Sequence, residues 1–308
     1  SITKQHKGLA VKIFKVFRTS DRSENEGLST NFKMNRTELD LRNLIDLAFV
    51  IQDYETTLQN AHYPSQDFKR IKASVHAAHC EELKLYARIA HEKMYATNNM
   101  KDLVYQANQI YDLYDKGHRM QQISPSHGMI PFSFKMTELL QRFGQNEEAA
   151  AFFVRLGNIL ADSAILKPMC YEQAAYEYLQ LQQYRKFAHF MFLAGQSYDA
   201  IKWPGLNYYS FHCYTLVHPF YQARKGWNSI QFRLYSSLGS KCDIAANNSQ
   251  LAVQFFRNLL LLAHQLKDVN QQKQCLNAAL KAFEKFRDSA ADGSEAGELA
   301  AREGAHIG

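Results

Sequence analysis

Apolar residues recur along this chain with helical spacing. Leu41, Leu44, Ile45, Ala48 and Ile51 fall on one side of a helix, while Arg42, Asp46 and Gln52 fall on others. A helix with one apolar stripe must bury it against a neighbour. The segment through Tyr54 and Leu58 follows after a very short connection, so the spacing predicts a helix-turn-helix pair. The same reading applies further along. Met136, Leu139, Leu140 and Phe143 make a stripe that ends at Gly144, and Asn146 opens a second helix through Ala149, Ala150, Phe153 and Leu156. Phe187, Phe190, Met191, Ala194, Tyr198 and Ile201 share a face expected to stop near Pro204, with Gly205 as the glycine that ends the helix. Leu251, Phe255, Leu259, Leu262 and Leu266 form another stripe, followed by Cys275, Ala279, Ala282 and Phe286 on a partner helix. Asn35 is expected to cap the first of these helices, with Glu38 reaching back from three residues on.

No sustained alternation of the kind strands need interrupts residues 37–287, and the chain has only 6 prolines, so the expected fold class is all-α. Alanine beside an aromatic, as in Ala174, Ala175 and Tyr176 or Ala188, His189 and Phe190, lets one helix seat the ring of the next. Tetratricopeptide-like arrays stack in this way. The expected architecture is an α-solenoid of stacked helix-turn-helix repeats over 37–287. No strict repeat period emerges, and a less regular helical bundle is the alternative. Residues 1–36 read as a basic amphipathic segment followed by a polar linker, 20–35, rich in Ser, Asn, Glu and Thr. Residues 288–308 read as a flexible tail, which from Ala290 onward is rich in Ala, Gly and Glu and lacks aromatics.

The 308 residues, 46% of them hydrophobic, suffice for one or two domains with a sizeable core. The longest apolar candidate for a membrane span, 255–263, is interrupted by Arg257 and Asn258 and falls short of the roughly 20 residues that a crossing needs. The first residue is not Met, and Lys4, Lys7, Lys12 and Lys15 break up any secretory pattern, so an internal piece of a longer protein is expected. Cys80, Cys170, Cys213, Cys242 and Cys275 are scattered and odd in number, which argues against a disulfide framework and fits a reducing cytoplasm. Lys and Arg number 36 against 30 Asp and Glu, a surplus of 6 that favours adhesion to acidic surfaces. No RNA-binding aromatic signature, zinc finger or long basic block accompanies it, so nucleic acid is not an expected partner.

The head carries the clearest candidate site. Wound as a helix, it places Leu9, Ile13, Val16 and Phe17 on one side and Lys4, Lys7, Lys12, Lys15 and Arg18 on the other. Its apolar side chains would enter a headgroup boundary, and each lysine near an anionic leaflet would gain about 1 kcal/mol. Val11 falls on the basic side, Gly8 weakens the helix, and Leu9, Val11 and Ile13 also alternate as in a strand. The alternative is a segment packed on its own protein. His76, His79 and Cys80, beside Glu81 and Glu82, mimic metal ligands, but nothing supplies a fourth ligand at familiar spacing, so no metal is expected. His212 and Cys213 could be imagined as base and nucleophile. No phosphate loop, dinucleotide fingerprint, nucleophile elbow or zinc-protease motif appears. Catalytic residues, cofactor and small-molecule substrate are therefore not expected. Tyr171, Tyr176, Tyr178, Tyr184, Tyr208, Tyr209 and Tyr214 read mainly as packing residues with a wet hydroxyl, some of them facing a partner.

The run Leu41, Arg42, Asn43, Leu44 resembles the opening of the helical repeat region in the complex-III-specific large subunit of the transport protein particle (TRAPP) tethering complexes. Residues 184–195, YRKFAHFMFLAG, are similar to a tyrosine-arginine-lysine-aromatic helix of that family, and Lys225, Gly226 and Trp227 to its lysine-glycine-tryptophan turn. Arg18, Thr19, Ser20, Asp21, Arg22 and Ser23 add a further short match. Ile45, where the family has a smaller residue, and 203–206, in place of its repeat turn, depart from the pattern. The resemblance implies a middle portion of a non-catalytic subunit that scaffolds TRAPP III and recruits it to membranes. The implied setting is cytoplasmic and peripheral on Golgi and autophagic precursor membranes, with other TRAPP subunits as partners. Such complexes promote nucleotide exchange on a Rab GTPase of early secretory traffic and autophagy, and direct contact with the GTPase is a further implication. The same resemblance gives Leu9, Ile13, Val16 and Phe17 the membrane role. A rival expectation is a tetratricopeptide-like peptide-binding adaptor unrelated to membranes.

Overall fold

The computed structural model describes residues 36–91, 100–121, 124–125, 128–161, 164–222, 227–246, 249–263 and 269–291. Every regular element among them is a helix, and within each of two compact units successive helices pack on one another as α-solenoid helices do. The chain divides into two compact units, residues 1–148 and 149–308. The expected head, residues 1–35, and the stretch from 292 onward lie outside the described residues.

The first unit contains α1 (Arg36–Val50), α2 (Tyr54–Asn60), α3 (His62–Arg70), α4 (Ser74–His91), α5 (Met100–Gln121) and α6 (Met129–Arg142). Helix α1 lies on α2, both α2 and α3 lie on α4, and α4, α5 and α6 follow in sequence. Ile45 and Ala48 are buried as the stripe requires, and Phe49 meets Tyr54 edge-on at 5.8 Å across the first turn. Ile51 departs from expectation. It lies past the end of α1 and is 73% exposed, because Gln52 adopts φ 63° and turns the chain before another helical residue can be added. The single partner helix expected after α1 is also divided at Ala61. Asp53 caps α2, its carboxylate accepting from the Thr56 amide at 3.1 Å and hydroxyl at 2.7 Å. Pro64 fits the first turn of α3, where its missing N–H costs no helical bond. Of the expected Asn35–Glu38 capping pair, Glu38 falls in the first turn of α1 and Asn35 lies outside the described residues.

One turn recurs. After α1, α3, α6 and α8 a single residue takes the left-handed conformation: Gln52 (φ 63°), Lys72 (63°), Gly144 (70°) and Gln182 (58°). The next amide then reaches back five residues, Asp53 to Ala48, Ala73 to Phe68, Gln145 to Leu140 and Gln183 to Tyr178, each at 2.8 Å. This closure satisfies carbonyls that the helix end would strand, and it aims the chain into an antiparallel neighbour.

The second unit runs through α7 (Asn146–Ile159), whose first turn holds the division, α8 (Leu166–Gln180), α9 (Tyr184–Ala200), a single 3-10 turn (Pro204–Leu206), α10 (Asn207–Gln222), α11 (Asn228–Ala246), α12 (Ser249–Ala263) and α13 (Val269–Ala291). From α8 on, each helix packs against the next. Glycine and aromatic residues make three of the seams. A Cβ placed on Gly157, Gly195 or Gly239 would stand 2.8 Å from the ring of Tyr171, Tyr214 or Phe256, respectively. Helices α7, α9 and α11 thus each offer a gap, and α8, α10 and α12 each fill it with a ring. The glycine that was expected to end α9 does not do so. Lys202 takes the left-handed φ of 55° beyond Ile201, while Pro204 and Gly205 form the separate 3-10 turn. Leu251, Phe255, Leu259 and Leu262 of α12 and Cys275, Ala279, Ala282 and Phe286 of α13 occupy the helices expected for them, and Leu266 lies outside the described residues.

Candidate functional site

In the first unit, α1, α4 and α5 bring together polar groups that the sequence holds far apart. Arg42 pairs with Asp46 one turn along α1 at 3.0 Å and donates to the Cys80 sulfur of α4 at 3.3 Å. Tyr114 of α5, only 1% exposed, places its hydroxyl 2.9 Å from His79 Nδ1 and donates to Glu82. Burial lowers the His79 imidazole to about 4, with the positive Arg42 and then His76 adding to the effect. Burial likewise raises the Glu82 carboxyl and the Cys80 thiol, although Arg42 opposes the latter. Burial also opposes ionisation of Glu81, but hydrogen bonds from Lys69 at 2.8 Å and Ser65 at 2.6 Å outweigh it and hold the carboxyl below its ordinary value.

This constellation is a tie between helices. His79 Nδ1 is committed to Tyr114 and Cys80 to Arg42, so the H-x-x-H-C spacing resolves into contacts with two different helices. Among the described residues, no three His, Cys, Asp or Glu side chains are grouped to hold a metal. His212 and Cys213 diverge: the histidine is exposed on α10 and the cysteine is 1% exposed, its thiol raised by burial. The sequence-predicted membrane residues Lys4, Lys7, Leu9, Lys12, Ile13, Lys15, Val16 and Phe17 lie outside the described residues. Among the described residues, no helix is long and apolar enough to cross a membrane.

The second unit holds a groove that the periodicity did not reveal. Helix α9 ends with left-handed Lys202, and Trp203 then extends (φ −96°, ψ 123°) before Pro204 opens the 3-10 turn. Leu206 closes that turn by donating its amide to the Trp203 carbonyl at 2.9 Å and is itself buried. Trp203 is consequently thrown to the surface, 61% exposed. It borders a groove of about 480 Å³ lined by Ile165, Met169, Glu172, Tyr198, Leu206 and Tyr209, among others. Tyr198 stacks on Tyr209 at 5.6 Å, and its hydroxyl donates to Glu172 Oε2 at 3.0 Å. The arrangement can hold an extended segment of another molecule, and Glu172 is the one acidic side chain among its described lining residues.

Comparison with known proteins places the first unit in context. The family described as "ER-Golgi trafficking TRAPP I complex 85 kDa subunit" matches residues 1–124. The human "Trafficking protein particle complex subunit 8" is 24% identical over 229 residues, which cover 73% of this chain and 15% of that protein. Both matches are to subunits of trafficking protein particle (TRAPP) complexes, and the chain spans only a small part of the human relative. The TRAPP match over 1–124 includes α1 to α5, and hence the whole Arg42, Cys80, His79, Glu82 and Tyr114 tie. The tie joins α1, α4 and α5 within that matched stretch. The groove around Trp203 lies beyond residues 1–124, the stretch that the family model matches.

Proposed function

We propose that the chain is a non-catalytic scaffolding and membrane-recruiting portion of a TRAPP III-like vesicle-tethering complex. In this reading it helps the complex to promote nucleotide exchange on a Rab GTPase in early secretory traffic and autophagy. The observation that carries the proposal is the coincidence of the TRAPP family match with consecutively stacked helices joined by a committed polar tie. Stacked helices expose long faces, which suits them to hold several partners at once. Other TRAPP subunits are the partners proposed first, followed by the GTPase. The place of action is the cytoplasmic surface of Golgi and autophagic precursor membranes. Attachment there is peripheral, through Leu9, Ile13, Val16 and Phe17 with Lys4, Lys7, Lys12 and Lys15 against anionic lipid.

Vesicle flotation tests the membrane part. Phosphatidylserine-containing vesicles should carry the chain upward, and Ile13→Asp with Phe17→Asp should lower its recovery several-fold. Equal flotation of both forms would remove the head from the proposal. Nucleotide release from the Rab tests the scaffold part: the chain alone should leave release unchanged, and with the small TRAPP subunits it should raise release on vesicles but not in solution. Release catalysed by the chain alone would contradict a non-catalytic role.

A further inference from the structure

We propose that the groove beside Trp203 receives a basic side chain, arginine or lysine, from a partner peptide whose flanking residues are apolar. The inference rests on the groove's own geometry and stands apart from TRAPP membership. Trp203 (61% exposed) and Tyr209 (51%) present aromatic surface, and Tyr198 backs Tyr209 as a second stacked ring. Aromatic faces attract guanidinium and ammonium groups, tryptophan most strongly. Glu172 supplies a carboxylate beside those rings. One of its oxygens accepts from Tyr198, and a carboxylate has capacity for further donors.

The sign of the groove decides the guest. An anion would meet Glu172 with no cation among the described lining residues to offset it. A wholly apolar guest would strip water from the Glu172 carboxylate and offer it no donor in exchange. A basic side chain pairs with the carboxylate while its methylene stem lies along the rings. Ile165 (42% exposed) and Met169 (46%), on the same face of the α8 region, then receive apolar neighbours of that side chain. Lys202 is exposed next to Trp203 but does not line the groove.

Trp203 also reports on occupancy. The chain has 2 tryptophans, so Trp227→Phe leaves Trp203 as the sole indole. In that background, three short soluble peptides are titrated with cores Leu-Arg-Leu, Leu-citrulline-Leu and Leu-Glu-Leu. The arginine peptide should change Trp203 emission saturably, the citrulline peptide should bind about ten-fold more weakly, and the glutamate peptide should not bind. Glu172→Gln, which retains an oxygen for Tyr198, should weaken the arginine peptide about ten-fold and bring its affinity to that of the citrulline peptide. Unchanged circular dichroism would confirm that this variant is folded. Absence of saturation, equal affinity for arginine and citrulline, or indifference to Glu172→Gln would each overturn the proposal. None of these outcomes depends on recovery of TRAPP subunits, so the two readings fail separately.

Discussion

Gly195→Ala puts the ring-and-gap seam to a quantitative test. Intrinsic helix propensity favours alanine over glycine by about 1 kcal/mol, so an exposed position would gain stability. At Gly195 the new Cβ would lie 2.8 Å from Tyr214 Cε1 and 3.1 Å from both Cδ1 and Cζ. The ring cannot easily retreat. Tyr214 is 2% exposed, packs on Phe192 at 5.7 Å, and donates its hydroxyl to Asp199 at 2.8 Å. Overpacking of this kind costs about 1–3 kcal/mol, and the pinned hydroxyl favours the upper part of that range. After the propensity gain, a net loss of about 1–2 kcal/mol is expected. Urea titration followed by helical circular dichroism measures it. Tyr214→Leu in the same background should recover part of the loss specific to Gly195→Ala, and the coupling in that double-mutant cycle is the diagnostic quantity. Stability equal to or above that of the parent chain for Gly195→Ala, with no coupling to Tyr214, would refute the seam.

Four further outcomes follow from the turns, the polar tie and the α2 cap. Gly144→Ala introduces no contact within 4 Å, so its expected cost of about 1 kcal/mol in urea titration comes from the φ of 70° alone, whereas Gln182→Gly should gain about 0.5 kcal/mol. His79 is lowered to about 4 from 6.5, so its neutral form stabilises the fold fully above pH 6.5, and that contribution drains away as pH falls toward 4. The stability difference between the parent chain and His79→Gln should therefore shrink across that window, blunted because 39% of the side chain meets solvent; a flat difference would contradict the assignment. Asp53→Ala removes both bonds to Thr56 and should cost about 1 kcal/mol, read as a lower urea midpoint.

The helices were legible wherever glycine or a long apolar stripe marked them. Met136 to Gly144 followed by Asn146 to Leu156 delivers its turn, and Phe187 to Tyr198 delivers a buried face, because three to four apolar residues per two turns leave little choice of period. Turns built on Gln52, Lys72, Gln182 and Lys202 left no such mark, since those side chains carry no preference for positive φ. The glycine seams escaped notice because positions 157, 195 and 239 are unevenly spaced and their rings come from the following helix. His79 and Tyr114 meet only through packing of α4 on α5. The groove was half legible. Residues 203–206 stand out as a departure from the family's repeat turn, yet the exposure of Trp203 follows from a backbone reversal at Lys202 that composition does not encode.

Affinity capture of the tagged chain from cytosol tests the central claim most directly. Stoichiometric recovery of the small TRAPP subunits, retained through a salt wash, is the expected result. Their absence from a folded, helical chain that instead recovers only unrelated chaperones would contradict the scaffold account.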